Sequence, residues 1–242
     1  MDKNFILKIK PIVGRLEKLC RPVSIFLYGS WAKGDFTKKS DIEIGVLMLK
    51  KNYISRSQIE SSLKSGGIKV YPFIYEDFMK LNIDTPFQKA LYLRDLIASG
   101  KILYGENMFR KLKAPSIRVL DLIQEVRFNL GYVLSAVHSY RNGDRQLASY
   151  LFSKSCLYGT RCLEILQMKR FPLTFSAIHS LSKKLKLGEY KFLITEAYKM
   201  RTKQISTKNS YYLFKNISYL NGIVEPRLLD FYKKHGNSVL VK

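Results

Sequence analysis

Two acidic residues, Asp41 and Glu43, stand two positions apart at the start of the apolar run DIEIGVLM. Side chains two positions apart in a β-strand point to the same face, so a strand here would place the two carboxylates side by side. Carboxylate pairs are hard oxygen ligands that suit Mg²⁺ or Mn²⁺ together with the phosphate oxygens of a substrate. The spacing therefore predicts a site for one or two divalent cations and a phosphate-bearing substrate.

A Gly-Ser pair lies upstream of the acidic pair. Gly29 and Ser30 directly follow an apolar run that ends at Tyr28, and Asp41 comes eleven residues after Ser30. Glycine lets the backbone approach a phosphate without a Cβ in the way, while the serine hydroxyl and neighbouring N–H groups supply hydrogen-bond donors. Together with the acidic pair, this turn is expected to hold a nucleoside triphosphate and to polarise the phosphorus under attack.

Basic and aromatic residues surround this motif. The sequence leaves two interpretations open for Lys33, Lys38 and Lys39: one of them contacts a phosphate, or they are solvated charges of a loop. Trp31 either stacks on a nucleotide base or is a partly buried aromatic residue of the turn.

The elements that must position these residues fill the first half of the chain. Apolar runs predict strands at residues 23–28, 41–48, 68–75 and 102–104, and apolar residues at 3–4 spacing predict helices at 4–20 and 86–98. Pro72 interrupts the third strand, which favours an edge position in the sheet. Strands and helices mixed in this order indicate an α+β or α/β domain.

The second half has helical periodicity almost throughout. Helices are expected at residues 116–140, 145–169, 176–185, 190–202, 211–220 and 225–234, with no strand-like alternation between them. We therefore predict two domains, an α+β domain at residues 1–112 and a helical bundle at 113–242.

Composition bounds the class of protein. The 242 residues are 46% hydrophobic and include three cysteines, Cys20, Cys156 and Cys162, without CxxC spacing. A chain this apolar can bury a core, and three scattered cysteines fit neither a disulfide framework nor a zinc cluster. No apolar stretch reaches the roughly 20 residues that cross a bilayer, and no secretory signal is evident, so we expect a cytoplasmic protein without a membrane partner.

The formal net charge is +23, with 42 Lys+Arg against 19 Asp+Glu. Residues 1–112 hold 20 basic and 11 acidic residues, and residues 113–242 hold 22 and 8, so both halves are positive. Such a field attracts polyanions and nucleotide phosphates, but a lysine-rich surface also serves solubility alone.

The segment from Phe26 to Leu47, FLYGSWAKGDFTKKSDIEIGVL, resembles the signature of polymerase-β-like nucleotidyltransferases. Its fuller form, GSxAxG followed by SDIE, is similar to the small minimal nucleotidyltransferases. The resemblance implies a mixed sheet flanked by helices and transfer of a nucleoside monophosphate from a metal-bound NTP, with loss of pyrophosphate. It assigns Asp41 and Glu43 as catalytic residues and metal ligands, and Gly29 and Ser30 as nucleotide-binding residues. Lys33 is added as a candidate nucleotide-binding residue because it lies close to the motif.

The chain departs from that family at one position. A third carboxylate usually sits on a later strand, as metal ligand or general base, whereas the best match here places Lys69 at that position, with Tyr71 next on the same face. Glu76 or Asp77 would substitute if the strand register were different. Without a third acid, deprotonation of the acceptor would need another group.

The segment 147–184 resembles the HEPN class of helical domains, which are often fused to minimal nucleotidyltransferases. The match rests on periodicity and on the motif His179-Ser180-Leu181. Nucleolytic members carry a His four to six residues after an Arg, and no His follows Arg201 in that range. Ribonuclease activity is therefore not expected, and a packed or capping His179 is favoured over a catalytic base.

These patterns predict a transferase that uses Mg²⁺ or Mn²⁺ and moves a nucleotide, with AMP from ATP expected, onto RNA, a protein or a small molecule. The alternative is a catalytically impaired nucleotide- or nucleic-acid-binding regulatory module, with a toxin–antitoxin-like role as a sub-case. The helical half would complete the substrate cleft, grip an anionic acceptor or form a homodimer.

Overall fold

The computed structural model of the chain describes residues 3–37, 40–63, 67–201 and 210–242. It divides into two compact units, Met1–Ala114 and Pro115–Lys242. The division falls two residues after the boundary expected from the change in periodicity. The predicted α+β fold is confirmed, since the first unit holds a mixed sheet with helices and the second is mainly helical.

The sheet of the first unit has four strands in the order β3-β2-β1-β4. Their bounds are β1 Ser24–Tyr28, β2 Ile42–Met48, β3 Ile68–Ile74 and β4 Lys101–Gly105. Strand β1 pairs antiparallel with β2 and with β4, while β2 and β3 run parallel. Strand β3 is at the edge, as Pro72 predicts, because a proline nitrogen cannot donate to a neighbouring strand.

One face of this sheet packs on α1 (Lys3–Cys20) and α3 (Arg56–Leu63). The strands contribute alternate apolar residues, and the helices add Leu16 and Ile59, both fully buried. This face, which includes Ile42, Ile44 and Val46, is therefore closed to solvent and leaves the odd-numbered residues of β2 on the other side.

The opposite face carries an aromatic layer. Phe26, Phe73 and Phe78 pack together there, with ring centroids 5.5 to 5.9 Å apart. Gly45 makes room for it, because a Cβ at Gly45 would lie 2.1 Å from the Phe26 ring. Short helix α4 (Tyr75–Met79) and helix α5 (Lys89–Ser99) cover part of this face. The layer ends near the start of β2, where the acidic pair lies.

The second unit is a helical bundle centred on two long helices, α6 (Val119–Arg141) and α7 (Arg145–Met168), which pack against each other. The described part of the bundle also contains shorter helices, namely α8 (Phe175–Ser182), α9 (Tyr190–Lys199), α10 (Tyr211–Tyr219) and α11 (Glu225–His235). A π-helical turn at Leu220–Val224 joins α10 to α11. None of the helices described in either unit is long and apolar enough to cross a membrane.

The second unit also has two short strands that were not predicted. Strand β5 (Ile117–Arg118), at the start of the helix expected at residues 116–140, pairs antiparallel with β6 (Val239–Val241). Strands of two and three residues are too short to show alternation. Cys20, Cys156 and Cys162 are buried and free.

Candidate active site

Gly29 joins β1 to a short helix, α2 (Gly29–Lys33), where the sequence indicated only a turn. Its φ of +70° is a conformation that favours glycine. A Cβ built on Gly29 would lie 1.8 Å from Oε2 of Glu43. The close approach that the glycine permits is therefore to the Glu43 carboxylate, in addition to any phosphate.

Asp41 and Glu43 lie where the strand pattern places them. Asp41 directly precedes β2, and Glu43 is its second residue, paired with Tyr28 of β1. Glu43 lies on the face that carries Gly45 and the aromatic layer, and the Asp41 carboxylate lies near it because it contacts Lys69, the residue in register with Glu43. The Asp41 side chain is about half exposed and Glu43 is partly buried, so the pair is accessible from solvent.

Lys69 completes this cluster. It is the β3 residue in register with Glu43, and its Nζ lies 2.6 Å from Oδ2 of Asp41. The hydrogen bond to Asp41 raises the pKa of Lys69, so the side chain is a cation at neutral pH and no proton acceptor. The expectation that Lys69 stands on the acidic face of the sheet is confirmed.

The two alternative carboxylates are far from the cluster. Glu76 and Asp77 follow β3 in α4, and Oε2 of Glu76 accepts a hydrogen bond from the backbone N–H of Lys50, 3.1 Å away, at the opposite end of β2. Lys69 and Ile74 are five strand positions apart, a distance of roughly 16 Å. Neither Glu76 nor Asp77 takes the Lys69 position, because the strand register pairs Lys69 with Glu43.

A tyrosine pair beside Glu43 was not predicted. The hydroxyls of Tyr28 and Tyr92 hydrogen-bond to each other, and burial, aided by the Glu43 charge, raises the pKa of both. They therefore stay neutral near pH 7. Tyr28 ends an apolar run and Tyr92 lies inside an amphipathic helix, so both read as core residues in the sequence.

A cleft of about 810 Å³ opens beside Glu43. Strand β3, the start of α3 and the loop before α5 form its walls. Its lining combines aromatic rings with three carboxylates and two cations: Tyr28, Tyr53, Tyr71, Phe73, Phe87 and Tyr92, then Glu43, Asp77 and Asp84, then Arg56 and Lys89. Among the described residues, the lining thus has more acidic than basic groups in a chain whose net charge is +23.

Lys33 and Trp31 are held by other parts of the first unit. Nζ of Lys33 lies 3.8 Å from Oδ1 of Asp95, and the lysine side chain is 7% exposed. Trp31 lies nearly parallel to the rings of Phe5 and Phe36, at centroid distances of 4.7 and 3.9 Å. The packed interpretation of Trp31 is thus confirmed, while a phosphate contact by Lys33 stays a prediction. Lys38 and Lys39 lie outside the described residues.

The carboxylate pair fits a divalent cation. Asp41 and Glu43 offer hard oxygen ligands on one face, and Mg²⁺ typically takes one or two protein carboxylates and completes its coordination with phosphate and water oxygens. Among the described residues, no cluster of three or more His, Cys, Asp or Glu side chains is arranged to hold a metal ion. A metal here would therefore depend on a bound phosphate.

His179 packs inside the helical unit, as favoured from the sequence. Its ring stacks on Tyr198 at 4.6 Å and 3°, and burial together with Lys183 and Lys199 lowers its pKa. Thr174, not His179, caps helix α8. The guanidinium of Arg201 lies over the Phe175 ring, and the residues that follow it, 202–209, lie outside the described residues.

The first unit has the mixed sheet flanked by helices that the resemblance to polymerase-β-like nucleotidyltransferases implies, and a helical unit follows it. Residues 8–108 match the family model described as polymerase beta, nucleotidyltransferase. No curated protein matches the chain.

Among solved structures, the chain is similar to the spectinomycin adenyltransferase AAD(9) from Enterococcus faecialis, crystallised with ATP and spectinomycin. The TM-score is 0.55 at 13% sequence identity, over 93% of this chain and 98% of that chain. At this identity the likeness shows the fold. The HEPN-like assignment of the helical unit stays a prediction.

Proposed function

We propose that this protein is a metal-dependent nucleotidyltransferase that transfers AMP from ATP to a hydroxyl-bearing acceptor and releases pyrophosphate. The observation that carries the proposal is the position of Glu43 against the Gly29-Ser30 junction and in the lining of the cleft, with Asp41 two residues before it and paired with Lys69. The family match over residues 8–108 supports this reaction class.

In this mechanism the acceptor oxygen forms a bond to the α-phosphorus and the bond from that phosphorus to pyrophosphate breaks. Asp41 and Glu43 would hold a divalent cation, which neutralises charge on the phosphate oxygens. The Ser30 hydroxyl donates a hydrogen bond to a phosphate oxygen, and Lys33 is the further candidate for a phosphate contact. The neutral Tyr28–Tyr92 pair lines the cleft beside Glu43 and excludes water from that side of the carboxylate.

The composition of the cleft favours a small acceptor over RNA. Among the described residues the lining has three carboxylates and two cations, so it offers no excess positive charge to an RNA backbone, whereas tyrosine and phenylalanine rings offer flat apolar faces for a ring-shaped molecule. Carboxylates at the wall would attract amino groups. The spectinomycin bound by the structural neighbour AAD(9) supports the same choice, and we propose a neutral or cationic hydroxylated ring compound as acceptor.

The test is an acceptor panel. The protein is incubated with labelled ATP, Mg²⁺ or Mn²⁺, and spectinomycin, other aminocyclitols and aminoglycosides, single-stranded RNA or protein, and both label transfer and pyrophosphate are measured. We expect transfer to a ring compound and none in the Asp41→Asn/Glu43→Gln variant. Transfer to RNA or protein alone would contradict the acceptor assignment, and no pyrophosphate with any acceptor would contradict the transferase.

A second candidate function, nucleotide binding without transfer, is favoured by one observation. Lys69 is a cation at the place where the related enzymes carry an acid, and no third carboxylate joins Asp41 and Glu43 in the described residues. Asp77 and Asp84 line the cleft and are the candidates for accepting the acceptor proton. If ATP binds but pyrophosphate never exceeds the level of the Asp41→Asn/Glu43→Gln variant, the binding module is the better description.

A further inference from the structure

The cluster of Asp41, Glu43 and Lys69 has a composition that bears on the number of metal ions. Its two carboxylates and one ammonium share one face of neighbouring strands, and Nζ of Lys69 lies 2.6 Å from Oδ2 of Asp41. An ammonium at that distance occupies a direction from which a metal ion would otherwise approach that oxygen. The oxygen cannot serve both cations without strong repulsion between them.

We infer that the Lys69 ammonium takes the place of one divalent cation, so that the site binds its nucleotide with a single metal ion. This inference rests on the proposed function, because it concerns the same nucleotide site. Two-metal sites clamp the attacking and leaving oxygens of a phosphoryl transfer with two divalent cations. Here one of these positive charges belongs to the chain itself.

Charge counting supports a single metal. Asp41 and Glu43 with Lys69 carry one net negative charge, whereas three carboxylates in the same places would carry three. Replacing the lysine by an aspartate thus lowers the net charge of the cluster by two, which is the charge of one divalent cation. A Lys69→Asp variant should therefore accept a second metal ion where the native cluster accepts one.

The hydrogen-bonding capacity of Lys69 supports a direct role toward the nucleotide. An ammonium has three N–H donors and no acceptor, and the contact with Asp41 uses one of them. The side chain is about half exposed on an edge strand, which leaves it accessible to a ligand beside Asp41. Lys69 is therefore assigned as a positioning residue that holds Asp41 and offers a fixed positive charge to the phosphates.

The test is the number of Mn²⁺ ions bound per nucleotide, measured by electron paramagnetic resonance with saturating non-hydrolysable α,β-methylene ATP. We expect one Mn²⁺ for the native protein and two for Lys69→Asp. The matched control is Lys111→Asp, which removes another exposed lysine paired with one carboxylate, Glu106, in the same unit. It should leave the count at one. Two Mn²⁺ in the native protein, or one in a folded Lys69→Asp variant, would overturn the inference.

A second variant is independent of how well Lys69→Asp folds. Lys69→Met keeps the length of the side chain and removes its charge, so we expect nucleotide affinity at fixed Mn²⁺ to fall roughly tenfold while the count stays at one. Unchanged affinity would overturn the inference. One Mn²⁺ per nucleotide without pyrophosphate release from ATP would refute the transferase and leave the Lys69 assignment standing. Nucleotide transfer with two Mn²⁺ bound would refute the Lys69 assignment and leave the transferase standing. Absence of nucleotide binding would overturn both.

Discussion

Glu43 and Gly29 depend on each other. Gly29 has a positive φ and no side chain, and the Glu43 carboxylate fills the space where a Cβ would be. Gly29 and Glu43 are therefore linked by steric fit as well as by their roles at the site. The same close packing leaves Glu43 little freedom to move away from the site.

Substitution of Gly29 should consequently remove the carboxylate from its place. We expect Gly29→Val to abolish metal-dependent nucleotide binding, because its Cβ would overlap Oε2 of Glu43. Ser30→Ala should cost only about 1 to 2 kcal/mol of binding free energy, the value of one hydrogen bond to a charged group. Calorimetry with Mg-ATP measures both.

The matched control for this comparison is Gly34→Val. Gly34 also has a positive φ, +79°, but a Cβ there meets nothing within 4 Å. This variant should lose folding stability through backbone strain alone and keep its nucleotide affinity. Equal tolerance of the changes at Gly29 and Gly34 would contradict the role given to the Glu43 contact.

At the scale of elements, the sequence predicts well what periodicity can show. Four strands, the edge position of β3 and the long helices follow from alternation, 3–4 spacing and Pro72. The resemblance matched Lys69 to the position of a third acid, and the structure places Lys69 in register with Glu43 and in contact with Asp41. The part of the site that depends on β2 and β3 was therefore predictable.

Other parts of the fold could not be read from local patterns. Helix α3 has only Ile59 and Leu63 as buried residues, and α2 and α4 have five residues each, too few for a periodic signal. Tyr92 comes to Glu43 only through the packing of α5 on the sheet. Contacts of this kind depend on tertiary structure, which neither spacing nor composition encodes locally.

The small sheet of the helical unit offers a test at this scale. Leu240 of β6 is 6% exposed, whereas its neighbour Val239 is 39% exposed. We expect Leu240→Ala to destabilise the unit by about 2 to 4 kcal/mol and Val239→Ala by less than about 1 kcal/mol, measured by chemical unfolding. Similar small effects at both positions would show that β6 is not part of the folded unit.

Helix α7 carries a buried acid that should make stability depend on pH. Glu164 is fully buried, neither of its carboxylate oxygens has a hydrogen-bond partner in the described residues, and burial raises its pKa to about 9, against the opposing effect of Arg161. The folded state then keeps a proton that the unfolded chain releases above about pH 4.5. This contribution to stability is present at low pH and is lost progressively as the pH rises toward 9.

Glu164→Gln should therefore remove most of this pH dependence. The amide stays neutral, so we expect the variant to be more stable than the native protein at pH 8, by on the order of 3 kcal/mol, and similar to it near pH 4.5. Urea unfolding across this pH range is the measurement. The control Glu189→Gln, at an exposed ion pair with Lys215, should change stability by less than about 0.5 kcal/mol. A native protein whose stability rises from pH 5 to 8 would contradict a buried neutral Glu164.

At the scale of the whole molecule, the charge of +23 is spread over both units while the cleft is locally acidic. A general positive surface binds RNA weakly and without a preferred site. We expect RNA binding at about 50 mM salt to be weak and to fall by the same amount per reversed charge at the exposed residues Lys183, Lys184 and Lys186 as at Lys233 and Lys234. Salt titrations of these variants measure it.

A cluster-specific effect would contradict this account of the surface. A site with about five phosphate contacts to single-stranded RNA would give a log–log salt slope of roughly −3.5. If reversal of Lys183, Lys184 and Lys186 alone flattened such a slope, RNA would replace the ring compound as the favoured acceptor.

The central claim is that Asp41 and Glu43 bind a metal–nucleotide complex, and calorimetry with Mg-ATP tests it most directly. Mg²⁺ takes much of its coordination from phosphate, so the free protein should bind Mg²⁺ weakly and Mg-ATP far better. The Asp41→Asn/Glu43→Gln variant should keep its circular-dichroism spectrum and lose metal-dependent ATP binding. Unchanged Mg-ATP affinity in this variant would contradict the assignment of the site.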